Sequence, residues 1–361
     1  MTSMMREQVE TLLKGVVDRY SEQDIISSKA VKAIQCEADK VSVQVILGYP
    51  AGSYRDELAA TIQQTLQQAG VANVEVSVKT QVTAHAVQKT VKRKDMIKNM
   101  IVVASGKGGV GKSTTAVNLA LALQADGAQV GILDADIYGP SQPRMLGISG
   151  QPESKDGKSI EPLENYGVRA MSIGFLIEED TPMIWRGPMV TQALGQLLND
   201  TQWGELDYLV IDLPPGTGDI QLTLSQKIPV SGAIIVTTPQ DIALLDARKG
   251  LKMFEKVEIP ILGIVENMSI HVCSQCGHAE HIFGEGGGQR MAEQYNVHYL
   301  GGLPLAMQIR EQADSGKPTV VAEPDGKIAQ LYHEIARKAS ARLAQQAKDY
   351  STKFPTITIM K

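Results

Sequence analysis

The chain of 361 residues is poor in aromatics (4%), has only three cysteines, and carries no net positive charge (formal charge −5). Scarce rings mean a core built from Val, Ile, Leu, Ala and Met. Three cysteines exclude a disulfide framework, and an odd count suits a reducing cytosol. The acidic balance argues against nucleic acid as the main partner. No apolar run approaches the roughly 20 residues of a membrane helix. Residues 1–10 have no apolar core after a basic start, so no secretory signal is visible. The expectation is a cytoplasmic protein with neither a nucleic-acid nor a membrane partner. Hydrophobic content of 43% and charged content of 21% are ordinary for a globular chain. The length suggests about two domains.

Apolar positions at Val9, Leu12, Leu13, Val16 and Val17 predict a helix within residues 3–20. Runs at 31–36 and 41–47 read as strands, a helix follows over 54–68, and alternating Val74, Val76 and Val78 predict a third strand. This αββαβ pattern predicts a small α+β domain at 1–80. Residues 81–98 are polar and basic and read as an exposed, partly helical connector. From residue 99 to 348, apolar strand runs (100–104, 130–133, 206–211, 233–237, 261–265) alternate with helical patterns (188–199, 218–226, 241–257, 286–295, 325–348). Such alternation predicts an α/β fold with a mainly parallel sheet covered by helices, in which ligands bind beyond the strands' carboxyl ends. Residues 349–361 form a tail without an amphipathic helical pattern.

Residues 97–118 organise the chain. The stretch Gly106-Lys107-Gly108-Gly109-Val110-Gly111-Lys112-Ser113-Thr114 fits G-x-x-x-x-G-K-[ST] between an apolar strand and a helical pattern. Glycines let successive N–H groups turn inward around a phosphate, and the helix start adds its positive dipole end. Lys112 supplies a point charge, and the Ser113 hydroxyl can ligate Mg²⁺. A P-loop ATPase is expected, with ATP held by residues 106–114. The strand at 130–133 runs into Asp134-Ala135-Asp136, where a carboxylate can orient water or hold Mg²⁺ through water, although a plain turn has the same composition. The strand at 206–211 ends in Asp212, the Walker B pattern, which predicts Mg²⁺ binding through its water shell.

Cys273-Ser274-Gln275-Cys276 is a C-x-x-C pair. Two thiolates suit a soft ion or cluster iron but are too few for a closed site. A symmetric homodimer would place the pair twice about one axis, giving four thiolates for a bridging [4Fe–4S] cluster or one zinc. His278 and His281 read as exposed polar residues, and a thioredoxin-like redox pair fits poorly in a loop after a late strand.

The loop K-G-G-V-G-K-S at 107–113 resembles that of the deviant P-loop ATPases of the MinD/ParA type. That resemblance implies that Lys107 contacts phosphate across a dimer, that Asp136 positions the attacking water, and that Asn267 meets the adenine base. With the stretches at 134–141, 212–219 and 266–283, residues 95–320 resemble the Mrp/ApbC family of iron–sulfur cluster carrier ATPases, and the front unit resembles the MIP18-type domain. The family implies a homodimer that binds and hydrolyses ATP, holds a labile cluster at Cys273 and Cys276, and passes it to apo-proteins. Catalytic candidates are then Lys107, Lys112 and Asp136. Cys36, within a strand pattern, is treated as core. Two other readings stand beside this one: a MinD/ParA-like spatial regulator, disfavoured by the tail and the acidic balance, and an ATPase with structural zinc at the cysteines. Trp185-Arg186-Gly187-Pro188 has no assigned role.

Overall fold

Eight strands form the sheet that carries residues 97 onward. From edge to edge they are Tyr299–Gly302, Ile261–Glu266, Gly232–Thr237, Ile97–Ala104, Leu206–Asp212, Val130–Asp134, Val168–Ser172 and Leu163–Asn165. Every neighbouring pair runs parallel except the last, a hairpin turning at Tyr166 and Gly167, both with positive φ. The computed structural model describes residues 5–37, 40–88, 91–177, 187–273 and 275–349. Helices cover the sheet, and Gly232–Thr237 is buried at every position. This explains why the central strands read as unbroken apolar runs rather than alternating ones. Among the described residues no helix is long and apolar enough to cross a membrane.

The expected helices appear as Gly187–Asp200, Asp219–Lys227, Asp241–Lys256, Gly287–Tyr295 and Lys327–Ala344, behind the P-loop helix Lys112–Ala125. Strands Leu163–Asn165, Val168–Ser172 and Tyr299–Gly302, and helix Met307–Asp314, were not expected. These are short, and Tyr299–Gly302 contains two glycines, so periodicity has little to grip.

In the front unit, Lys40–Leu47 pairs antiparallel with Val31–Cys36 and parallel with Asn73–Thr80. Helices Arg6–Leu13 and Tyr54–Gln68 cover one face, and Val9, Leu13, Val43, Val45, Ile62 and Leu66 form the core. The predicted helix through residue 20 stops at Leu13. Residues 17–24 instead form a small hairpin, because Asp18 is a buried acceptor for the Tyr49 hydroxyl (2.7 Å), the Tyr54 hydroxyl (3.1 Å) and the Tyr20 N–H (3.1 Å). A helix could not aim one carboxylate at three such donors. Cys36 is half-buried at the edge of this core.

The connector corrects a second expectation. Among its described residues there is no helix, and much of it is packed down. His85 is 1% exposed, with its N–H bonded to Asn99 Oδ1. The Gln88 side chain donates to Ser225 O and accepts from Val230 N. Arg93 pairs with Asp349, Lys98 with Asp207, and Lys94 Nζ donates to Leu198 O. The basic charges therefore pin an extended strap to the large sheet's flank. The closing helix Lys327–Ala344 joins the units: Arg337 makes a bidentate pair with Asp126 (2.7 and 2.8 Å) and reaches the Tyr20 hydroxyl (3.2 Å).

Candidate functional site

The first strand of the large sheet, Ile97–Ala104, lies between Leu206–Asp212 and Gly232–Thr237, so its outgoing loop emerges at a switch point of the strand order. Parallel register aligns Asp212 with Val103 on one side and with Asp134 on the other. The carboxyl ends of three strands thus deliver two carboxylates and the glycine loop to one place.

Two glycines of that loop are required sterically. A Cβ on Gly106 would lie 2.1 Å from the Asp246 carbonyl carbon, on helix Asp241–Lys256. Gly111 has φ +81° and a Cβ there would lie 2.1 Å from Asn267 Nδ2. Gly108 and Gly109 are exposed, Lys107, Ser113 and Thr114 are half-buried, and Val110 is buried. The Ser105 hydroxyl donates to Lys107 O at 2.8 Å.

Lys112 is 5% exposed and turns inward. Its Nζ stands 2.5 Å from Asp212 Oδ1, 3.1 Å from Ser113 Oγ and 3.7 Å from Asp136 Oδ2. Burial pushes the Asp136 carboxyl up from its ordinary value, partly offset by Lys112. Asp134, fully buried, is pushed up to about 7 by burial and by the neighbouring Asp212 carboxylate. It nevertheless accepts N–H bonds from Asp136, Ser141 and Gln142 and a hydroxyl bond from Ser172. Asp134 therefore shapes the segment that presents Asp136.

Gln142, which sequence reasoning missed, closes the arrangement. Its Nε2 donates to Asp212 Oδ2 (2.9 Å) and to Ser113 O (3.2 Å). Two acceptors fix the amide's orientation, so its buried Oε1 has no partner and faces away from them. Nothing in the local sequence marks this glutamine, whereas Asp134 at a strand end was a visible signal.

Asn267 follows strand Ile261–Glu266. Its Nδ2 donates to Val110 O (2.9 Å), its N–H donates to Thr237 O, and its Oδ1 accepts from Met268 N. The structure thus puts this side chain against the P-loop backbone. Ser269 and Leu305 backbone bonds then pin the segment to the chain at 303–305. Next comes the hairpin His271–Val272 with Ala279–Glu280, and Cys273 and Cys276 occupy its tip. Gly277, at φ +72°, donates its N–H to Cys273 O. The N–H groups of Cys276 and Gln275 point at the Cys273 sulfur and, with the Cys276 side chain, hold that thiol below its ordinary value. Cys276 is exposed. His281 Nδ1 lies 2.7 Å from Ser269 O and His278 is exposed. Among the described residues no group of three or more His, Cys, Asp or Glu could hold a metal ion. Trp185, Arg186 and the tail beyond 349 lie outside the described residues, while Gly187 and Pro188 open a helix.

Comparison with known proteins gives two family matches. The family described as NUBPL iron-transfer P-loop NTPase matches residues 96–340, and that described as iron-sulfur cluster assembly protein matches residues 6–78. An iron-sulfur cluster carrier protein from Haemophilus influenzae is 50% identical over 348 residues, covering 96% of this chain and 94% of its own. One of the same name from Pseudomonas fragi is 61% identical over 269 residues, covering 74% and 94%. Among solved structures, a nucleotide-binding protein in complex with ADP from Archaeoglobus fulgidus is 37% identical, with a TM-score of 0.56, covering 64% of this chain and 90% of its own.

Proposed function

Because the chain belongs to the NUBPL-type family of iron-transfer P-loop NTPases, we propose that it is an ATP-dependent iron–sulfur cluster carrier. It acts as a cytoplasmic homodimer and delivers its cluster to apo-proteins. One observation carries the reading: the cysteine hairpin is half a site. It offers two thiols, one biased toward thiolate, with no further ligand converging among the described residues. Two copies about a two-fold axis supply four thiolates for a bridging [4Fe–4S] cargo. Apolar side chains beside the P-loop support that pairing. Ile242 and Leu245 are 70% and 53% exposed on the helix whose backbone abuts Gly106.

ATP binds along Gly106–Thr114. Lys112 then turns from Asp212 to the phosphates, releasing that carboxylate. Ser113 and Asp212 offer the hard oxygen donors that Mg²⁺ prefers, and the Gln142 amide holds that carboxylate beside Ser113. When bound, Mg²⁺ supplies positive charge to the phosphate oxygens. Lys107 of the other subunit adds charge at the transferring group, and Asp136 orients the attacking water. Asn267 either meets adenine or leaves Val110 O as the loop fills. Because Cys273 lies six residues beyond it, either movement reaches the hairpin that holds the cluster.

The test is anaerobic reconstitution of the full chain with ferrous iron and sulfide, followed by visible spectroscopy and iron and sulfide quantification. One cluster per two chains is expected, with none in C273A/C276A. An undiminished cluster in that variant would falsify the assignment. One zinc per two chains surviving purification would transfer the site to a structural role.

A further inference from the structure

The front unit's three-stranded sheet has a free edge. Strand Asn73–Thr80 pairs on one side with Lys40–Leu47, and among the described residues nothing pairs with its other side. Gln81 continues the pairing, its N–H donating to Leu47 O at 2.8 Å. Backbone groups alternate in direction along a strand, so those of Val74, Val76, Val78 and Thr80 point outward. An edge of this length is a template for one more strand. The side chains of Val74, Val76 and Val78 pack on the front unit's core but are only half-buried, which leaves apolar surface at the rim.

The strap keeps that alternation beyond the strand. Gln81 N–H, Thr83 O and His85 N–H face inward, to Leu47 O and the Asn99 side-chain amide, at 2.8, 3.0 and 3.1 Å. Ala84 O and Ala86 N–H face outward, accepting from Asp349 N at 3.0 Å and donating to Ala347 O at 2.8 Å. The last described residues therefore run antiparallel to the strap, Lys348 opposite His85, on the side to which the free edge also points. Chain leaving Asp349 in this direction heads for Gln81 and the edge strand. Each step forward in the tail is one step back in the strap, so the same register sets Ile357 beside Val76 and Ile359 beside Val74. The sequence there, Thr356-Ile357-Thr358-Ile359, alternates with the two-residue period of a strand. Residues opposite one another share a face, so both isoleucines fall on the side of the valines. Pro355, opposite Val78, can accept but not donate; that omits one rung, which an edge strand tolerates.

We propose that the free edge of Asn73–Thr80 is a docking site for the chain's own residues 353–360, which add to it as a fourth, antiparallel strand. The tether is short, because residues 350–352 span the positions opposite 81–83, and a short tether gives the tail a high effective concentration at the edge. The added strand covers the rim of the valines and fastens the front unit to the end of the closing helix. Neither the cluster nor the P-loop enters this argument.

The test is amide hydrogen exchange, read residue by residue by NMR, on the full chain and on a chain ending at Asp349. The outward N–H groups of Val74, Val76 and Val78 should exchange at least about tenfold more slowly in the full chain. Those of Glu75, Ser77 and Lys79 face Lys40–Leu47 and should exchange alike in both, which separates a docked strand from a general loosening of the front unit. I357P/I359P keeps the tail but breaks its strand, and should lose the protection as the truncated chain does. Equal exchange of the three valines in the full and truncated chains overturns the proposal, and so does protection that persists in I357P/I359P. Protection that rises with protein concentration would give the edge to a second copy and overturns it as well.

Discussion

Gln142→Leu removes one amide at nearly constant volume, and its effect can be worked from the geometry. The amide bonds Asp212 Oδ2 at 2.9 Å and Ser113 O at 3.2 Å, and both Gln142 and Asp212 are essentially buried. A hydrogen bond to a charged group contributes about 1.5–3 kcal/mol. If it holds Asp212 and the Ser113 turn in register for nucleotide, kcat/KM for ATP hydrolysis should fall roughly 10- to 150-fold. Packing alone would be indifferent to metal. A positioning role instead predicts that the Mg²⁺ concentration for half-maximal rate rises, while nucleotide binding without Mg²⁺ changes little. The assay is steady-state hydrolysis across a Mg²⁺ series, with melting temperature recorded to show that the variant is folded. A folded variant with kcat/KM within about twofold of the wild type and an unshifted Mg²⁺ profile refutes the reasoning.

Gly106→Ala forces a Cβ to 2.1 Å from the Asp246 backbone; overpacking of this kind costs about 1–3 kcal/mol, and fluorescent-nucleotide titration should show weakened binding. Arg337→Met removes the bidentate partner of the buried Asp126 carboxylate at the junction of the units and leaves it beside His333, 3.2 Å away, a loss of up to about 3–5 kcal/mol by urea denaturation, and a cost below about 1 kcal/mol would show that His333 takes over the pairing. Burial lowers the His85 pKa, with Asn99 opposing. The unfolded chain therefore takes up the proton first as pH falls, so stability is present above about pH 6.5 and is lost below it, at no more than about 1.4 kcal/mol per pH unit. His85→Gln should remove that slope, and an identical pH profile would exclude His85 as its source. In the cluster-free protein, alkylation of Cys273 in a C276S variant should reach half-maximal rate at lower pH than alkylation of an unstructured cysteine peptide, because the N–H groups of Cys276 and Gln275 stabilise the Cys273 thiolate; an equal or higher midpoint would show that they do not.

Local chemistry was legible wherever one stretch of chain carried it. An apolar strand, a glycine turn and a helix specify a phosphate loop because glycine conformation and helix polarity are local properties. The two-residue period of Val41, Val43 and Val45 likewise announced a half-buried strand, and all three are buried. The C-x-x-C pair declared soft ligation for the same reason: its chemistry is contained in four residues. Partnerships across the chain were not legible. Gln142 looked like any polar residue until packing set it between Asp212 and Ser113. The basic strap looked solvated until Asp349, Asp207 and the carbonyl of Leu198 took its charges. Asp18 ended a predicted helix only because two tyrosines more than 30 residues away needed an acceptor. Sequence alone determined which groups are present and how each short segment bends. Tertiary structure alone decided which buried polar atoms meet and which are left without partners, because desolvation makes every such atom depend on residues far away in the chain.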